Sequence, residues 1–349
     1  MSLALQTANA PFLSGRNKLI NGSGLVAIRA GATIGAAAAY AGPDRWFANA
    51  SNVGAFSQGQ NTTFNTPDGT RTAITQTVVT AVASIATFSG TLIWNGFDQR
   101  IEGYNAYDML NKPATLSFWF YGVVSGLYNV SIWDQGGANS FVTQFSYTQN
   151  PGIATKIVIP VPTLPVGLTV PLSNGIGLIV RIGALNAGTY QSSAGNLGTW
   201  QSGGFVSGPG QANWAGTIGN LIGVSEVQLE SGAIANPVFE RRLFSYEQFL
   251  CQRYALPMPG LAIGQCYSTT QALIVVPSPA IMRATPSFIQ VGGAPSLTNA
   301  TAGSVASTGV TPSIFAANAV ELLVTAASGL VAGNATALSA SGCYLSAEL

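Results

Sequence analysis

The chain has 349 residues, 41 of them glycine, and a net charge of +1 from 13 basic and 12 acidic side chains, 25 in all, with no histidine. Without histidine, Ser-His-Asp and Cys-His arrangements and His-built zinc sites are excluded, and the scattered basic residues form no stripe for nucleic acid. At 7% charged residues, against roughly 25% in an ordinary soluble domain, the surface repels its own copies weakly, so the composition predicts packing into an assembly.

In chain order, MSLALQTANAPFLSGRN lacks the basic start and apolar core of a secretory signal. It reads as an extended arm, over 1–24, that grips a neighbour. GLVAIRAGATIGAAAAYAG carries Arg29 and internal glycines, which makes it a poor membrane span. In PDRWFAN, a packed Trp46 with an Asp44–Arg45 pair holding a strand start is preferred to a ligand loop. Asp98 and Glu102 beside Arg100 have the spacing of a weak calcium motif, and no metal is assigned to them. Short runs rich in Val, Ile, Thr and aromatics then follow one another, separated by turn residues: AITQTVVTAVASIATFSG, ATLSFWFYGVVSG, LYNVSIWD, ATKIVIPVP and GIGLIVRIG. In ATLSFWF, Leu116, Phe118 and Phe120 alternate with Ser117, Trp119 and Tyr121. With Tyr128, Val130 and Ile132 of LYNVSIWD they predict a hairpin feeding a two-sheet sandwich. Trp94 and Trp133 lie in strand-like runs and read as core. Trp200 and Trp214 sit in the Gly/Ser-rich segment SSAGNLGTWQSGGFVSGPGQANWAG, the best place for contact with a glycan or, in preference, with a neighbouring subunit.

Seven of the 25 charges lie between Val224 and Ala255. VSEVQLE alternates Val227 and Leu229 with Glu226, Gln228 and Glu230, as a sandwich strand does. Glu230, Glu240, Arg241, Arg242 and Arg253 could be a paired-carboxylate hydrolase site. The favoured reading is a structural joint, an ion-pair network where a large domain hands over to a small one. In LFSYEQFLCQRYA, Ser245 and Gln248 have capping-box spacing and Phe244 and Phe249 that of a hydrophobic staple. Tyr246, Phe249, Leu250 and Tyr254 would line the packed side of the helix, and Pro257 and Pro259 would stop it. Beyond Met258 only Arg283, Glu321 and Glu348 carry charge, and ALIVVPSP, SFIQVGG and AVELLVTAASG predict a small β unit. Cys251, Cys266 and Cys343 are odd in number and widely spaced, so no disulfide framework follows and a reducing site of synthesis fits.

Several of these segments resemble one known family in order along the chain. RNKLINGSG, PDRWFAN, QRIEGYNAYDMLNKPATLSFWFYG, the QLE…FERR…LCQRYA stretch, VPSPAIMRATPSF and the closing SAEL are similar to motifs of bacteriophage virion proteins of the tail-fibre and head-decoration type, which carry a carbohydrate-binding-module-like jelly roll. The combined QLE-G-P-FE-R-CQRY pattern is the specific element. Here NGSG stands where an acidic or aromatic residue would follow Gly22, and ANPVFE is one residue longer than the family's run. The resemblance implies a non-enzymatic virion structural protein, made in the host bacterial cytoplasm and often trimeric, with other virion proteins such as the major capsid protein as partners. Glycan is a further possible ligand, and no cofactor, nucleic acid or membrane is implied.

The expectation is therefore an all-β chain: an arm over 1–24, a jelly-roll β-sandwich over 25–256 with a short helix, and a small C-terminal β domain over 257–349. The preferred role is a capsid decoration or cement protein. The alternative is a tail fibre or receptor-binding protein that binds host surface glycan.

Overall fold

The computed structural model describes residues 15–35, 38–49, 53–89, 95–299 and 303–349. Trp94 and most of the expected arm, 1–14, lie outside them. The expected all-β class, with a sandwich, one short helix and a small C-terminal β unit, is the one observed. The chain divides into two compact units between Arg242 and Leu243, the first also taking in Leu349.

In the first unit the described strands are β1 (Ala32–Ile34), β2 (Ala39–Tyr40), β3 (Phe47–Ala48), β4 (Ala55–Asn61), β5 (Ala73–Thr80), β6 (Phe97–Glu102), β7 (Ala114–Gly122), β8 (Gly126–Asp134), β9 (Asn139–Tyr147), β10 (Thr155–Val161), β11 (Ile176–Ile182), β12 (Trp200–Ser202) and β13 (Leu221–Ser231). They form a six-stranded sheet, β1-β4-β5-β13-β7-β10, and a seven-stranded sheet, β12-β9-β8-β11-β6-β3-β2. Leu116, Phe118 and Phe120 of the first sheet share one buried cluster with Val130, Ile132, Leu178 and Val180 of the second. Alternation therefore places the apolar side of each strand in the interlayer core. Phe120 anchors it, with ring centroids 4.6 Å from Tyr128, 5.0 Å from Tyr147 and 5.1 Å from Phe145.

The expected β7–β8 hairpin is corrected. β7 pairs with β13 and β10, whereas β8 pairs with β9 and β11. Residues 123–125 carry the chain from one sheet to the other, because both strands bury large apolar faces and are better served as opposite walls of one core than as neighbours. The PDRW segment is packed: Asp44, Arg45 and Trp46 are buried. Asp44 accepts from Ile28 N (2.6 Å) and Arg29 Nη1 (3.2 Å), and Arg45 Nη2 donates to the Arg100 carbonyl (2.6 Å). Arg29 is thus a cation of Asp44 that the sequence reading left out.

Residues 15–24, expected to belong to the arm, are built into the first unit along β13. Lys18 N donates to Leu229 O and Val227 N to Gly22 O, both at 2.9 Å. Asn17 bonds the same strand through Nδ2 to Val227 O (3.0 Å) and Oδ1 from Leu229 N (3.1 Å). Gly22 is required by close approach: a Cβ there would stand 2.1 Å from Val227 O and 3.3 Å from the Phe239 ring.

In the second unit, helix Phe244–Gln252 precedes β14 (Ala255–Pro257), β15 (Ala262–Cys266), β16 (Gln271–Pro277), β17 (Ser287–Ile289), β18 (Ser296–Asn299), β19 (Gly303–Phe315), β20 (Ala319–Ala326), β21 (Ala335–Ser339) and β22 (Tyr344–Ser346). A closed barrel, β15-β16-β20-β19-β18-β21, and a small sheet, β14-β22-β17, result. Val320, Leu322 and Val324 point inward to Ile274, Leu297 and Leu338. The helix starts one residue before the expected cap. Leu243 is the N-cap, and no side-chain capping bond forms. Ser245 is therefore inside the helix, and Phe244, at its first position, is not placed for the staple. The buried side is Glu247, Cys251 and Tyr254, while Tyr246 and Phe249 are exposed. Spacing by three and four defines two possible faces, and tertiary packing selects the one carrying Cys251.

Gly22→Ala should lower the unfolding free energy of the first unit by about 1–3 kcal/mol, measured by urea denaturation. Phe249→Ala should stay within about 0.5 kcal/mol of wild type, since the ring is exposed.

Candidate functional site

The polar side of β13 carries the charges singled out in the sequence. Its register with β7 shifts between Ser225 and Gln228, and Glu226 in that bulge has φ +51°. A left-handed non-glycine residue is uncommon, and a bulge re-aims its side chain. The result is two neighbouring ionic groups along one strand.

In the first group, Gln228 and Glu230 are fully buried. Glu230 Oε1 accepts from Gln228 Nε2 at 2.8 Å, and Arg16 Nε stands 3.0 Å from Oε2. Gln228 also donates to Val238 O (3.0 Å) and accepts from Glu240 N (2.7 Å). The Glu240 carboxylate takes the backbone N–H of Gly15 (2.8 Å) and Asn17 (2.7 Å), with Arg242 Nε at 3.2 Å. Arg242 continues to the carbonyls of Asn17 (2.6 Å) and Leu19 (3.1 Å). Residues 15–19 and 238–242 are thus stitched over β13. Burial raises the Glu230 carboxyl, with Gln228 and Arg16 opposing it. For Glu240 burial also pushes upward, but the two backbone N–H donors and Arg242 outweigh it and the net shift is downward.

In the second group, Arg241 Nη2 bonds Glu226, Thr70 Oγ1 (2.9 Å) and Asp68 Oδ2 (3.4 Å). Trp119 Nε1 lies 3.2 Å from both Asp68 Oδ2 and Glu226 Oε2, and Thr70 Oγ1 donates to Glu226. Lys156 Nζ sits 5.4 Å from the Trp119 ring centroid. Partial burial favours the neutral Asp68, yet bonds from Thr66, Glu226, Thr70 and Trp119 prevail and hold it at about 2. Glu226 is pushed up, chiefly by burial.

Glu230, Glu240, Arg241 and Arg242 are thus brought to one strand. Arg253 belongs to the second unit, where its Nη1 donates to Ile281 O at 3.0 Å. Of the five residues expected to form a joint, four thus lie in the first unit, which ends at Arg242, and Arg253 lies in the second. The network adds Arg16, Asn17, Asp68, Thr70, Trp119 and Glu226. Arg16 and Asn17 stand in RNKLINGSG, a stretch that resembles the family without pointing to these contacts, and nothing in TPDGT marks Asp68 or Thr70 as partners of residues far along the chain. Asp98, considered for calcium, accepts from Arg181 Nε at 2.8 Å, and Arg181 stacks 3.8 Å over Trp133. No group of three acidic or thiol side chains that could hold a metal occurs among the described residues.

The two loop tryptophans part company. Trp214 is fully buried, with its ring 5.3 Å from Phe56 and Nε1 donating to Gly183 O (2.9 Å), so it is core and not a contact residue. Trp200 is half-buried beside Phe141 (5.9 Å) and donates to Pro162 O (3.3 Å). On the outward side of β7, Tyr121 instead borders a cleft of ≈ 120 Å³ with Asn61, Thr63, Phe64, Asn65, Gly152 and Leu221.

No family model matches the chain, and no curated protein matches it. Among solved structures, the enzymatically active domain of bacteriophage CBA120 tailspike protein 4 aligns at TM-score 0.32 and 14% identity, over 62% of this chain and 21% of that one. An arabinose-bound α-L-arabinofuranosidase aligns at 0.29 and 13%, over 60% and 26%. The N-terminal CBM22-1–CBM22-2 tandem domain of Paenibacillus barcinonensis Xyn10C aligns at 0.28 and 9%, over 92% of both chains. The chain thus spans about a fifth to a quarter of the length of the first two, and at these TM-scores the likenesses carry no argument about function.

Glu230→Ala, which strips Gln228 of its acceptor and Arg16 of its counter-ion, should cost about 1–3 kcal/mol of unfolding free energy. Acid should also loosen the first unit. The folded-state value of Asp68 is about 2 against an ordinary 3.8, so its contribution is present above 3.8 and is lost as pH falls toward 2. Asp68→Asn should flatten the fall in thermal midpoint over that interval, measured by circular dichroism.

Proposed function

We propose that this chain is a non-catalytic structural protein of a phage particle, with a capsid-decoration role preferred. The observation that carries this reading is how the signature charges are used. Glu226, Glu230 and Glu240 each hold several internal partners, and Arg241 and Arg242 are spent on the same network. A hydrolase pair would present its carboxylates to a cleft with space for sugar and water. These carboxylates instead fix loops to a strand, which is scaffold work, and they coincide with the motif that resembles virion proteins.

The second unit supports assembly. Between Leu243 and Glu348 only Glu247, Arg253, Arg283, Glu321 and Glu348 are charged. The outer wall of the barrel exposes Ile263 (70%), Val275 (51%) and Ile314 (59%). Register sets Val275 and Ile314 on either side of Glu321 across three neighbouring strands. Exposed apolar side chains on a wall with so few charges favour protein contact, and a second copy, within a trimer, is the proposed occupant. The tail-fibre alternative, with a host glycan as ligand, is favoured by a different observation, the uncharged cleft beside Phe64 and Tyr121.

The decisive experiment is to separate heads and tails of purified particles and locate the chain by immunogold labelling and cryo-microscopy. Symmetry-related copies on heads are expected, and a signal on tails alone overturns the decoration role. Ile263→Lys with Val275→Lys should leave the monomer folded and shift a trimer toward monomer in size-exclusion light scattering.

A further inference from the structure

We propose that the cleft between β4, the 62–65 turn and β7 is a binding site for one neutral, polyhydroxylated ring, a terminal monosaccharide unit. The inference rests on the glycan reading of the first unit and gives it a site, in place of the Trp200 and Trp214 positions expected from sequence.

Four observations point to this ligand class. The first is the wall. Phe64 is buried and meets Tyr121 edge-on, with centroids 6.5 Å apart, so two aromatic surfaces border one side of the cleft beside the Leu221 side chain. Aromatic surfaces match the C–H faces of sugar rings, and Tyr adds a polar tip. The second is the set of available hydrogen-bonding groups. Asn61 Oδ1 is held by Thr63 N (2.7 Å) and Thr63 Oγ1 (3.1 Å). That fixes the amide and leaves its Nδ2 without a partner among the described residues, as is the Tyr121 hydroxyl. Asn65 Nδ2 donates weakly to Gly152 O (3.4 Å), which leaves its Oδ1 available. The third is charge: no ionisable acid or base lines the cleft, so nothing in it would neutralise a phosphate, a carboxylate or an amine. The fourth is size and access. The cleft is small, about 120 Å³, and a Cβ on Gly152 at its border would meet nothing within 4 Å, so no neighbouring atom crowds the entrance there.

Few polar groups converging on an apolar wall is the usual composition of a small-ligand site. Here donors and acceptors are all neutral, which selects hydroxyl groups over ions. The cleft adjoins the ionic network without sharing a residue with it: Tyr121 and Trp119 lie on one face of β7, and Trp119 is the residue that serves Asp68 and Glu226.

The test is saturation-transfer difference NMR on the whole chain with D-glucose, D-galactose, D-mannose, N-acetyl-D-glucosamine and L-rhamnose, and with the free base adenine as a planar, non-saccharide control. At least one sugar should give a saturable signal. Asn61→Ala and Tyr121→Phe should each weaken it roughly fivefold, the value of one neutral hydrogen bond. Trp200→Ala, outside the cleft, should leave it unchanged. Folding of each variant is checked by its thermal midpoint. Sugar binding that survives the Asn61→Ala, Tyr121→Phe double variant overturns this site while leaving the glycan reading standing. A response to adenine alone overturns the ligand class. No response to any of the sugars overturns both.

Discussion

The fold of the first unit depends on how β13 satisfies a polar face that it buries. One side of this strand carries Val227 and Leu229 into the interlayer core. The other holds Gln228 and Glu230, both fully out of water. A buried carboxylate is tolerable only when paired and hydrogen-bonded. The chain meets that demand by laying 15–19 and 238–242 across the strand, so that backbone N–H groups, Arg16, Arg242 and an amide supply the partners. The bulge at Glu226 extends the arrangement by turning a third carboxylate toward Arg241 and the loop of Asp68.

This constraint explains why a chain so short of charge concentrates it. A surface built for contact with other proteins can be nearly neutral, but two loops that must hold a fixed position over a strand need directional partners. Charge-assisted hydrogen bonds supply both direction and strength. Gly22 belongs to the same design: the segment approaches Val227 so closely that no side chain fits. The motif resembling virion proteins is therefore a device for clamping the segments on either side of the sandwich in sequence to one of its strands.

The second unit solves a different problem. Its barrel closes on itself, which removes open sheet edges, and its core is filled by alternating small and branched side chains. With few charges available, its outer wall retains apolar residues, and its helix turns Tyr246 and Phe249 to the outside.

Local pattern in the sequence determined much of this. The alternation of Leu116, Phe118 and Phe120 with Ser117, Trp119 and Tyr121 named the core side of β7 correctly, and the change in composition past Met258 announced a second β unit. Both hold because side-chain direction in a strand has period two whatever the strand pairs with. Tertiary structure alone decided that β7 and β8 face each other across the core, since a short turn is compatible with either a hairpin or a crossing between layers. It decided which side of helix Phe244–Gln252 is buried, because the spacing serves both. It also decided that Trp214 is core, and that Asp68 meets Arg241, 173 positions away. Contacts of that range leave no local periodicity to read. Trp214 shows the limit most plainly: its neighbours in the chain are small and polar residues, whereas its neighbours in space are Phe56 and the carbonyl of Gly183.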